Sequence, residues 1–110
     1  MATKLLIDKL YFGTAMPSGH VVTQEQFESF VDRVITRRFP DGLTIYEARG
    51  QWRGKLTDCV ITKEKTYVVE LVHTDSPVAD LAIKFITDYY KDCFNQESVM
   101  RVSTTALVDF

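Results

Sequence analysis

The sequence predicts an α+β domain of the ferredoxin-like, split βαβ type, with a four-stranded antiparallel sheet and two helices on one face. Three observations predict it. Segments alternating at the period of a strand lie at residues 5–12, 43–52, 66–73 and 98–102. Two helical patterns, each with a start and a stop signal, separate the first strand from the second and the third from the fourth. A chain of 110 residues, 45% hydrophobic and 25% charged, suits one core and one domain spanning 1–110.

The first strand, 5–12, places Leu6, Leu10 and Phe12 on one parity, with Asp8 as the exception. Leu5, Ile7, Lys9 and Tyr11 take the other, so both faces carry apolar residues, as in a central strand. Gly13 ends it, and Pro17-Ser18-Gly19 reads as a loop. Thr23 and Gln26 form a capping box that opens the first helix. Phe27, Phe30, Val31, Val34 and Ile35 give it an apolar stripe. Pro40 forces the exit, because the residue before a proline is driven from helical angles. Asp41-Gly42 supplies the turn, and Gly42 is expected at positive φ.

In the second strand, 43–52, a late polar series (Glu47, Arg49, Gln51) opposes Tyr46, Ala48, Gly50 and Trp52. This implies one wet face, or a bulge near Gly50. Arg53-Gly54-Lys55 is a turn-like break, and 56–61 is either a hairpin arm or a connection. In the third strand Tyr67, Val69, Leu71 and His73 alternate against Thr66, Val68, Glu70 and Val72. Ser76 caps the second helix and Pro77 takes its first position. Its stripe is expected to be Leu81, Ala82, Phe85, Ile86, Tyr89 and Cys93, widened by Ile83, Tyr90 and Phe94. Asn95 is a left-handed terminator. The fourth strand, 98–102, is extended or followed by the tail.

A formal net charge of −2 argues against duplex nucleic acid, which binds through basic patches. No apolar run approaches the roughly 20 residues that span a bilayer. The first residues lack the apolar core of a secretory signal. Two cysteines, Cys59 and Cys93, are too few for a disulfide framework, which suggests reduced thiols and a cytoplasmic setting. With His20 and His73 they form no close pair at zinc spacing, so neither metal nor cofactor is implied.

Four blocks carry a resemblance: Leu10-Tyr11-Phe12-Gly13, then Arg38-Phe39-Pro40-Asp41-Gly42-Leu43-Thr44, then Gly50-Gln51-Trp52-Arg53, then Tyr90-Lys91 through residues 94–102. In that order they resemble a small bacterial family, domain of unknown function 3574, along almost the whole chain. The resemblance implies a compact α+β domain and no established activity. Some relatives begin with export signals, which this sequence does not show.

Within those blocks, Tyr11, Gln51, Arg53, Gln96 and Ser98 lie at strand ends that the sheet brings together. One reading is a hydrogen-bonding pocket in which Gln51 and Gln96 orient a ligand and Arg53 grips a carboxylate or phosphate. The other is capping and hairpin bonds to backbone. Trp52 is either a stacking wall or a core or dimer anchor. His73 is a candidate general base, with Asp75 or Glu70 to orient it, or a structural strand-end histidine.

Ile7, Tyr11, Tyr46, Val68 and Val72 cannot all lie under the helices if these parities hold, which predicts a homodimer. Two functions fit. One is a small-molecule binding protein or cofactor-free enzyme, with a pocket at the open sheet face or strand ends and an anionic ligand among the candidates. The alternative is a non-catalytic assembly or regulatory module that binds a protein partner.

Overall fold

The computed structural model describes residues 1–54 and 60–110. The strands β1 (Thr3–Gly13), β2 (Thr44–Arg53), β3 (Ile61–His73) and β4 (Met100–Val108) form one sheet in the order β2-β3-β1-β4. Every neighbouring pair is antiparallel. The first helix runs through Gln24–Phe30, a π-helical turn Val31–Ile35, and Thr36–Arg38. The second spans Pro77–Phe94. The strand-helix-strand-strand-helix-strand order and this strand order are those of the ferredoxin-like fold. The expected break at Lys55, the arm from Leu56 and the position of Cys59 lie outside the described residues.

Local chemistry places the elements. Thr23 accepts from the Gln26 N–H at 3.1 Å while the Gln26 side chain accepts from the Thr23 N–H at 2.9 Å, closing the capping box. The first helix ends at Arg38, ahead of Pro40, and Gly42 takes φ 156° as the chain turns into β2. Ser76 caps the second helix, and Asn95 ends it at φ 51°. No bulge interrupts β2: its register to β3 runs unbroken from Thr44↔Glu70 to Arg53↔Ile61. Its polar series therefore occupies one continuous wet face. β3 begins earlier than the alternation suggests, and β4 begins later and runs to Val108.

The core lies between the helices and one sheet face. Leu10, Phe12, Tyr67, Val69 and Leu71 meet Phe27, Phe30, Val31, Val34 and Ile35 from the first helix. Phe12 is its centre, edge-on to Phe27, Phe30 and Tyr90 at 4.7–5.5 Å between centroids. Each such buried side chain contributes about 1.5–3 kcal/mol relative to exposure.

The second helix buries Ile83, Ile86 and Tyr90, rotated from the expected stripe; Leu81, Phe85, Tyr89 and Cys93 are exposed. The physical reason is a second contact surface. Tyr89 stacks on Phe30, and the Arg38 guanidinium sits 3.9 Å from the Phe85 ring centroid, so these aromatics pack sideways on the first helix.

The other sheet face is uncovered by helices. By register Ile7, Tyr11, Tyr46, Val68 and Val72 share it. Val68 is buried there between its two register partners, Tyr11 and Tyr46.

Candidate functional site

At one end of the open face the sheet is floored by two glycines, one on either side of β3. Gly13 of β1 pairs with Thr66, and Gly50 of β2 pairs with Glu64. Neither glycine is there by accident of space. A Cβ on Gly13 would lie 2.6 Å from Oε2 of Glu64, and one on Gly50 would lie 2.5 Å from Oγ1 of Thr66. The missing side chains let the Glu64 carboxylate lean over β1 and the Thr66 hydroxyl lean over β2. A cavity of ≈ 360 Å³ stands above this floor. Tyr11, Trp52 and Met100 line it from the strands, and Gln96, Glu97 and Ser98 close it from the segment before β4.

The rim is pinned by backbone bonds. The Ala15 N–H donates to Oε1 of Glu64 at 2.8 Å, and Nε2 of Gln96 donates to the Ala15 carbonyl at 2.8 Å. The Tyr90 hydroxyl, on a fully buried side chain, donates to the Gly13 carbonyl at 2.5 Å. Burial, with the Glu64 charge and Tyr67 adding to it, pushes the Tyr90 hydroxyl well above the usual phenol range, so it stays a donor. Thr14 donates to the Lys65 carbonyl at 2.6 Å. Residues 13–15 are thus held from four directions, and Glu64 is held with them.

Of the residues singled out from sequence, Tyr11, Trp52, Gln96 and Ser98 line this cavity; Gln51 borders it between Gly50 and Trp52, with its side chain on the other face of β2. Arg53 does not. It follows Trp52 directly, and successive strand residues take opposite faces, so it stands exposed on the other side of β2. Arg49 borders the cavity between Ala48 and Gly50, but it shares the parity of Arg53, so its guanidinium leaves on that other side too. Gln96 serves backbone as well, since its amide also reaches the Phe94 carbonyl at 3.2 Å. Sequence reasoning passed over Glu64, Gly13 and Gly50 as site makers. The available signal was their register: two glycines on the strands flanking β3, with a carboxylate between them.

His73 lies at the far end of β3, on the helix side, in a separate polar cluster. Its Nε2 is 2.5 Å from Oδ2 of Asp8 and its Nδ1 is 2.7 Å from the Thr74 carbonyl oxygen. Both partners are acceptors, so both ring nitrogens are already engaged. The orienting carboxylate is Asp8, not Asp75 or Glu70. Asp8 is fully buried and also accepts from Arg101 Nε at 2.9 Å and from the Ser103 hydroxyl. Burial alone raises its pKa, but the bonds from Arg101, Ser103 and His73 and the guanidinium charge outweigh it, and the carboxyl is held below its ordinary value. Arg101 also bonds Asp80 on the second helix at 2.7 Å. The cluster ties β1, β3, β4 and that helix together. Among the described residues no group of three or more His, Cys, Asp or Glu is placed to hold a metal ion, and no helix is long and apolar enough to cross a membrane.

The chain belongs to the family described as Protein of unknown function (DUF3574), whose model matches residues 7–110. No curated protein matches it. Among solved structures it is similar to a phage SAM lyase in complex with S-methyl-5'-thioadenosine, at TM-score 0.73 and 11% identity, covering 94% of this chain and 88% of that one. It is also similar to a phage SAM lyase in the apo state, at TM-score 0.69 and 13% identity, covering 96% and 86%. At these identities the likeness is one of fold.

Proposed function

We propose that this chain binds a small molecule in the cavity on its open sheet face, as a binding protein or a cofactor-free enzyme. The observation that carries it is the glycine-floored recess with a fixed carboxylate at its base and aromatic walls. Ligand sites are concave, largely apolar and furnished with a few placed polar groups. Tyr11 and Trp52 supply flat apolar surface; Ser98 and the side-chain oxygen of Gln96, whose amide nitrogen already serves backbone, supply orienting bonds. The phage lyase of the same fold holds S-methyl-5'-thioadenosine, which supports an adenosine-bearing compound as the first ligand to try.

A thermal-shift titration with S-methyl-5'-thioadenosine tests this. Saturation at about a hundredfold over Kd corresponds to about 2.7 kcal/mol of stabilisation. Tyr11→Ala and Trp52→Ala are expected to remove most of the shift. An unchanged melting point for the wild-type chain, or a full shift in both variants, would count against the site.

The same face is proposed to pair with a second copy of the chain and cover the cavity. Tyr46 is 40% exposed, Val72 38% and Val102 37%, on the open face of β2, β3 and β4 with no layer above them. Sedimentation is expected to show a dimer at micromolar concentration. A monomer throughout would remove the dimer and leave this apolar face to a different protein. A cytoplasmic location is likewise proposed, on the free thiol of Cys93.

A further inference from the structure

We infer that the ligand of this cavity carries a positive charge, an ammonium or sulfonium centre, and that Glu64 is the residue that selects it. This rests on the small-molecule function proposed above and specifies the class of compound. Glu64 is held, not merely nearby. Its Oε1 accepts the Ala15 N–H at 2.8 Å, and it lies where any side chain at position 13 would stand, 2.6 Å from an added Cβ. Its Oε2 has no hydrogen-bond partner among the described residues. Among the described residues the carboxylate therefore offers the cavity an acceptor in a fixed position.

Among the described residues no cation pairs with Glu64. Lys63 and Lys65 flank Glu64 in sequence, but alternation sends them to the other face of β3, where Lys65 approaches Glu47 at 3.8 Å. Of the charged residues bordering the cavity, Glu64 stands on its face of the sheet and Glu97 on the segment before β4, while alternation sends the Arg49 guanidinium to the other face of β2. A ligand that closes over Glu64 strips water from an anion, and a cation on the ligand offsets that loss where a neutral group does not. An anionic ligand adds repulsion instead. Tyr11 and Trp52 complete the chemistry, because aromatic faces attract organic cations. The anion grip expected of Arg53 has no counterpart here, since that side chain is on the other face of β2.

Two matched pairs of probes isolate the charge. S-adenosylmethionine and S-adenosylhomocysteine differ by one methyl group and the positive charge on sulfur. Choline and 3,3-dimethylbutan-1-ol share a shape and differ in charge, without an adenosine. Titration calorimetry on the wild-type chain is expected to show each cation binding at least tenfold more tightly than its neutral partner. Glu64→Gln keeps an oxygen for the Ala15 N–H and removes the charge, and is expected to bring both ratios near one. Neutral partners that bind as well as the cations, or ratios that survive in Glu64→Gln, would overturn the inference; so would no binding by any probe. If Glu64→Gln fails to fold, the wild-type ratios decide alone. S-methyl-5'-thioadenosine binding with charge ratios of one would leave the small-molecule site standing and this inference refuted. Glu64-dependent choline binding with no adenosyl compound bound would refute the adenosine ligand and uphold the charge.

Discussion

Asp8→Ala is expected to lower folding stability by about 3–5 kcal/mol, the usual cost of removing one partner from a buried charge pair. Asp8 is fully buried beneath the helices, and its carboxylate receives bonds from His73, Arg101 and Ser103. Without it the His73 ring, whose side chain is only 9% exposed, loses its acceptor with little water to replace it. Arg101 is 30% exposed and keeps Asp80, so it suffers less. Asp80→Ala is the control. Its side chain is 69% exposed, and such a pair contributes at most about 1 kcal/mol. Denaturant midpoints at unchanged slope measure both. Equal, small losses would show that the Asp8 cluster is no more than another surface pair.

The same group fixes the sign of an acid response. Its folded-state pKa lies below the ordinary value of 3.8. Its stabilising contribution is therefore complete above that unfolded-state value and is lost as pH falls through the lower, folded one. The stability gap between wild type and Asp8→Asn is expected to narrow as pH falls below about 4. A gap that widens as pH falls below about 4 would contradict the geometry of the cluster.

Asp8 also shows what a sequence conveys. It was the single polar residue on the parity of Leu6, Leu10 and Phe12. Alternation alone placed it under the helices, but only the fold supplied Arg101 and Ser103 from β4, 93 and 95 residues on. The strands and caps were legible because their causes are local: alternation, a capping box, a proline exit, Asn95. The face of the second helix was not. That helix has two apolar surfaces, Ile83, Ile86 and Tyr90 toward the sheet and Phe85 and Tyr89 toward the first helix, and periodicity cannot rank them. Most of the cavity was visible as polar and aromatic residues at strand ends. Glu64 was hidden because Lys63 and Lys65 make it look like part of a solvated edge. Arg53 was misplaced by counting along the chain where parity decides.

Parity also sets the second large effect. Phe12→Ala is expected to cost about 3–5 kcal/mol, the range for truncating a buried aromatic. The ring is fully buried and packs against Phe27, Phe30 and Tyr90, three aromatics from the two helices that cannot close in without moving backbone. A chain of this size is stable by about 5–15 kcal/mol, so much of the total is at stake. Tyr11, one residue earlier, faces the cavity from the opposite side of β1. Its truncation leaves the aromatic cluster intact and is expected to cost less than half as much stability while removing the ligand-induced shift. Phe12→Ala, studied below its lowered melting point, is expected to keep that shift, because the floor of Gly13, Gly50 and Glu64 lies on the other face. Urea unfolding of the two variants, each with and without S-methyl-5'-thioadenosine, separates the roles. Comparable losses of stability in both, or loss of the shift only in Phe12→Ala, would mean that the two faces of β1 do not divide folding from binding.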